Sequence, residues 1–128
     1  MKDEKKTPIE LKTRTRVFAL RIIRLYSALP TFTVAQVLGK QLLRSGTSVG
    51  AHYREAIRSR SDAEFISKLE GGLQELEETA YWTAYWLELL EGAEIFPKDR
   101  LADLRQEIDE LLAILTTCVK NRKSSKGS

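Results

Sequence analysis

Between Gln41 and Leu90 the chain combines apolar residues at helical spacing, small residues inside helices, and more aromatic surface than one small core can hide. Apolar positions recurring at steps of three and four place one helix face against a core. Glycine inside a helix costs roughly 1 kcal/mol relative to alanine. Gly46 and Gly50, one turn apart, therefore need a reason, and close approach of another helix backbone supplies it. Counting outward from the turn near residue 60, Gly50 falls level with Gly71 and Gly72. That register predicts a tight crossing of the second and third helices, with a neighbouring protomer as the alternative partner.

The pattern extends along the chain as four helices. Thr7-Pro8-Ile9-Glu10 reads as an N-cap, a proline at the first helical position and a returning glutamate. Phe18, Ile22, Leu25 and Leu29 form the buried stripe of the first helix, and Pro30 ends it. The second helix is predicted from Thr31–Thr33 to about Ser59, with Val34, Leu38, Leu42, Ser45, Val49, His52 and Ala56 toward the core. Ser61-Asp-Ala-Glu64 is a capping box opening the third helix. Its core face carries Phe65, Leu69, Gly72, Leu76, Thr83, Leu87 and Leu90, and Gly92 is the expected C-terminal signal. Leu101, Leu104, Ile108, Leu111, Leu115 and Cys118 make a heptad seam on the fourth helix. Short connections between long helices predict an all-α, antiparallel up-down four-helix bundle. Residues 1–119 read as one domain, with 120–128 as a basic, disordered tail.

On the third helix, Tyr81 and Tyr85 point away from the core stripe, and Trp82, Trp86 and Leu89 lie on one flank. Exposed aromatic surface of this kind marks an interface. Leu43, Gly46, Gly50, Tyr81, Trp82 and Tyr85 are therefore the candidate oligomer contacts, and a homo-oligomer is expected.

Charge is segregated. Residues 1–60 carry 13 Lys and Arg against 4 Asp and Glu, a net +9, and residues 61–128 carry 8 against 14, a net −6. Arg14, Arg16, Arg21, Arg24, Lys40, Arg54, Arg58 and Arg60 form the candidate nucleic-acid-binding set, because phosphate neutralisation needs clustered cations and little else. Arg44 is set apart, since it falls near Glu75–Glu78 and is expected to pair there. No recognition helix or aromatic RNA platform accompanies the cations, so binding with little sequence specificity is expected.

Chemistry is not indicated. The chain lacks a Glu-x-x-His motif, a phosphate-cradling glycine loop and a nucleophile elbow, so no catalytic residue, metal or cofactor is predicted. His52, the sole histidine, is read as a packing residue. An arginine–histidine nuclease pair fails on spacing, because Arg44 and His52 face about 80° apart at 100° per residue. The single cysteine, Cys118, cannot form an internal disulfide. With a charged amino terminus and no membrane-length apolar run, a cytoplasmic, non-enzymatic protein is expected.

The segments Gln41-Leu-Leu-Arg-Ser-Gly-Thr-Ser-Val-Gly-Ala-His-Tyr-Arg-Glu-Ala56, Ser61-Asp-Ala-Glu-Phe-Ile-Ser-Lys-Leu69 and Glu78-Thr-Ala-Tyr-Trp82 resemble the bacterial four-helix bundle proteins called rRNA intervening-sequence proteins. The resemblance spans roughly residues 15–118. It implies a homopentameric ring of bundles without established enzymatic activity. Where this chain carries His52, that family often carries asparagine. A more distant resemblance is to the basic pentameric accessory protein of diversity-generating retroelements, which binds reverse transcriptase and nucleic acid. Two functions follow as expectations: an oligomeric bundle that binds RNA or DNA through backbone phosphates, or a protein-interaction scaffold without nucleic-acid binding.

Overall fold

The computed structural model describes residues 8–127, which form helices α1 (Pro8–Ala28), α2 (Thr33–Ile57), α3 (Asp62–Ala93) and α4 (Lys98–Gly127). Among the described residues there is no strand. Successive helices pack antiparallel along their lengths, and α1 and α4 close the bundle over a shorter contact. The predicted fold class is the observed one. The Thr7 cap lies outside the described residues.

Helix boundaries follow local chemistry. Pro30 stops α1 just after Ala28. Ser61 caps α3 by accepting the Glu64 N–H at 3.1 Å, and Glu64 Oε1 accepts the Arg60 N–H at 3.0 Å. At the other end of α3 the expected glycine signal is absent. Gly92 remains helical, and Glu94 takes the left-handed conformation at φ 54° while its N–H bonds the Leu90 carbonyl. A non-glycine residue there is strained, and a carboxylate opposes the helix dipole at its negative end. Glu94→Gly should therefore raise stability by about 1 kcal/mol, read as a melting-temperature increase of several degrees.

The core is one layer deep. Trp86, Phe18, Ile22, Leu42, Leu69, Leu76, Leu101, Ile108, Leu111 and Leu115 are almost wholly buried. The α4 seam, the α1 stripe and the α3 stripe are as predicted, with Leu87 and Cys118 half-buried. In the α2 stripe Leu42, Ser45, Val49 and Ala56 are buried as predicted and Leu38 and His52 half-buried, but the buried arc is wider and its first member differs. Val34 is 54% exposed, and Ala35, Gly39 and Tyr53 are buried in addition. Because α2 is packed on both sides, by α1 and by α3, it buries a wider arc than the periodicity alone assigns.

The glycines explain this arc. A Cβ at Gly46 would lie 2.6 Å from Ile22 Cγ1, and one at Gly50 would lie 3.3 Å from Thr15 Oγ1. Both glycines therefore let α1 approach α2 within the chain. This corrects two expectations: Gly50 faces α1 rather than α3, and neither glycine is free to contact another protomer. The close α2–α3 approach uses His52, whose ring lies over Gly71 and Gly72. The packing role expected for this histidine matches that position.

The basic C-terminal segment is also revised. The chain stays helical beyond Lys120, because Val119 is buried and Arg122 is anchored twice. Arg122 pairs with Asp62 at 2.9 Å and stacks over the Phe65 ring at 3.8 Å, while Lys123 pairs with Glu70 at 2.8 Å. These contacts tie the last turns of α4 to the start of α3.

Candidate nucleic-acid interface and apolar docking faces

Cations concentrate on α1 and α2. Of the predicted set, Arg16, Arg24, Lys40, Arg54, Arg58 and Arg60 are solvent-exposed, and Arg21 is half-buried between α1 and α4. No ion pair engages any of these side chains among the described residues. Lys12, which the sequence reading passed over, is exposed on α1. The packing of Gly46 on Ile22 and Gly50 on Thr15 sets the antiparallel register, which brings Arg54 level with Lys12. One end of the α1–α2 surface therefore presents Lys12, Arg16, Arg54, Arg58 and Arg60.

Arg14 does not belong to that surface. Its Nη2 donates to Glu107 Oε1 at 2.7 Å and to Glu110 Oε1 at 2.9 Å, and its Nε donates to Glu107 Oε2 at 3.1 Å. The Glu107 hydrogen bond, opposed by burial, holds the guanidinium pKa above its ordinary value. With its side chain 18% exposed, Arg14 ties α1 to α4 rather than meeting a phosphate. Periodicity put it off the core stripe, but did not reveal the two carboxylates across the bundle. Arg44 behaves as expected, donating to Glu75 at 3.0 Å and Glu78 at 3.2 Å.

The opposite charge lies on α3, where Asp62, Glu64, Glu70, Glu75, Glu77, Glu78, Glu88 and Glu91 stand against Lys68, a net −7. Within this acidic helix, Tyr81 is 67% exposed, Tyr85 43% and Leu89 42%, at four-residue steps on one edge. Trp82 is half-buried against the core and meets both tyrosine rings edge-on, at 5.5 and 5.9 Å between centroids. Of the six predicted interface residues, Tyr81 and Tyr85 are open, Trp82 and Leu43 are half-buried, and Gly46 and Gly50 are internal. A second exposed apolar row, Val17, Leu20 and Ile23, runs along α1 beside Arg16 and Arg24. Step-of-three spacing on the outer face was its signal.

Neither sulfur nor histidine is poised for reaction. Burial pushes the Cys118 thiol up, which keeps it protonated near neutral pH. His52 Nδ1 is buried and has no hydrogen-bond partner among the described residues; the ring is held by its packing on Gly71 and Gly72. Among the described residues, no group of three His, Cys, Asp or Glu side chains could hold a metal ion, and no helix is long and apolar enough to cross a membrane.

The architecture is thus a four-helix bundle with a basic α1–α2 surface, an acidic α3, exposed apolar rows on α1 and α3, and exposed Phe32, Val34 and Val37 at the start of α2. The chain belongs to the 23S rRNA-intervening sequence protein family, whose pattern matches residues 8–117. It is similar to a crystallised protein of unknown function from the S23 ribosomal protein family of Bacteroides thetaiotaomicron, with 38% identity and a TM-score of 0.74. That similarity covers 94% of this chain and 99% of the other. No curated protein matches the chain.

Proposed function

We propose that this protein is a self-associating helical bundle that binds nucleic acid, RNA first, through phosphate contacts and without chemistry of its own. The observation carrying this reading is the set of exposed, unpaired cations on α1 and α2, beside two arginines, Arg14 and Arg44, that do have carboxylate partners. Unpaired surface cations retain their full capacity to displace counterions from a polyanion. The family description refers to a 23S rRNA intervening sequence, which makes RNA the first polyanion to test.

Self-association would use the two apolar rows. Tyr81, Tyr85 and Leu89 stand on an acidic helix, while Val17, Leu20 and Ile23 are flanked by arginines. A contact between the α3 row of one copy and the α1 row of the next joins unlike charges around an apolar centre. Such a head-to-tail contact generates a ring when its rotation closes, and a pentamer is one closed solution. A ring would repeat the basic surface around its circumference. The same charge complementarity also supports the scaffold reading, in which the cations serve subunit packing or a protein partner such as a reverse transcriptase.

Replacing both Arg54 and Arg58 with glutamine tests whether this end of the surface makes the phosphate contacts. Each lost phosphate contact should lower the magnitude of the log-affinity versus log-salt slope by roughly 0.7–0.9 per chain. Affinity for unrelated RNA sequences should fall together. An unchanged slope would move the phosphate contacts off this end of the surface.

A further inference from the structure

The α1–α4 groove holds a convergence that the basic surface does not account for. Arg21 and Arg24 of α1 and Arg100 of α4 line one cavity of about 150 Å³, with Leu25 and Leu104 as its apolar wall. No carboxylate lines it. Arg100 instead stacks on the Phe96 ring, 5.1 Å from its centroid, and none of the three guanidiniums has an ion-pair partner among the described residues. The same α1–α4 seam neutralises its other arginine, since Arg14 meets both Glu107 and Glu110. Asp99 and Asp103 flank Arg100 in the α4 sequence, and neither makes an ion pair among the described residues.

Three like charges facing one half-enclosed groove repel each other unless an anion joins them. Arg100 also lies in the first turn of α4, at the positive end of the helix dipole, with its own N–H bonded to the Pro97 carbonyl at 3.3 Å and Asp99 in the same turn. The cavity volume equals the liquid volume of roughly five waters, enough for a tetrahedral oxyanion. Planar guanidiniums match phosphoryl oxygens in two-point hydrogen bonds. A dianion gains more than a monoanion from three cations, which favours a phosphomonoester over a backbone diester.

We propose that the α1–α4 groove is a phosphoryl-binding site in which Arg21, Arg24 and Arg100 hold a phosphomonoester, either a 5′-terminal phosphate of an RNA strand or a free mononucleotide. The RNA source rests on the nucleic-acid reading above; the groove itself does not. Arg21 and Arg24 are shared with the α1 cations, whereas Arg100 belongs to α4, outside the α1–α2 surface, so Arg100 variants test the groove apart from that surface.

Calorimetric titration of the full chain with inorganic phosphate and with adenosine 5′-monophosphate tests the site directly. Both should saturate at one per chain, and Arg100→Gln should weaken them at least tenfold. Arg100→Lys, which keeps the charge and loses the fork, should fall between. Arg105→Gln, an exposed change on the same helix, should bind as wild type. Phosphate should also raise the wild-type melting temperature above that in chloride of equal ionic strength, and not that of a folded Arg100→Gln. A matched pair of short RNAs, with and without a 5′-phosphate, then separates the sources. Tighter binding of the phosphorylated strand, lost in Arg100→Gln, assigns the strand end. Equal binding of both strands beside saturable mononucleotide binding assigns the free ligand. No saturable binding up to 10-millimolar-order phosphate, or the same affinity in Arg100→Gln, would overturn the site. Failure of the unphosphorylated RNA to bind at low salt would count against the α1–α2 surface alone.

Discussion

Gly46→Leu should lower the melting temperature by about 10 °C. The first carbon of the new side chain would lie 2.6 Å from Ile22 Cγ1, 3.0 Å from Cγ2 and 3.2 Å from Cβ. Those atoms are the stem of a β-branched residue on a helix, which has one strongly preferred rotamer and cannot swing aside. Relief must come from moving α1 away from α2, and overpacking of this kind costs about 3 kcal/mol at the upper end of its usual range. Helix propensity returns roughly 0.8 kcal/mol, which is too little to change the sign. Gly92→Ala makes the contrasting case. Nothing lies within 4 Å of a Cβ there, so only the propensity gain acts and stability should rise by about 1 kcal/mol. Thermal melts of both variants check the pair. A wild-type melt for Gly46→Leu would contradict the α1–α2 packing described above.

Replacing Tyr81 and Tyr85 together with glutamate should abolish self-association while leaving helicity intact. Each buried tyrosine contributes on the order of 150–250 Å² of contact, and the pair makes up two of the three members of the exposed α3 row. Glutamates there would join Glu77, Glu78 and Glu88 on an already acidic helix, so the substitution removes apolar area and adds repulsion at once. Neither tyrosine supports the core of its own chain, which keeps the fold out of the result. Wild type should sediment as an oligomer at micromolar concentration, and the double variant at the mass of one chain. Val17→Glu with Leu20→Glu should do the same if the α1 row is the partner face. A monomeric wild type would remove the ring reading.

Much of the fold was legible because local signals carry it. The Ser61–Glu64 box, the Pro30 stop and the α4 seam each depend on residues within a few positions of one another, and each appears where expected. The Arg44 ion pairs were also readable, since a single turn fixes the α2–α3 register. Periodicity tells which way a side chain points, but not which helix stands there. Gly46 and Gly50 were rightly read as points of close approach and assigned the wrong neighbour, because α1 and α3 flank α2 on either side. Arg14 was counted as free for the same reason, its carboxylates lying more than ninety positions away. Arg100 was missed because an arginine set between Asp99 and Asp103 reads as locally balanced charge; only folding brings it to Arg21 and Arg24. Glu94 in the left-handed conformation was unreadable beside a nearby glycine.

Binding of wild-type protein to two short RNAs of unrelated sequence, measured from low to moderate salt, tests the central claim most directly. Log affinity should fall linearly with log salt concentration, with a slope of several units, since each neutralised phosphate contributes about 0.7–0.9. Both RNAs should follow the same line. No binding at low salt, or an affinity indifferent to salt, would contradict the account and leave the basic surface to a protein partner.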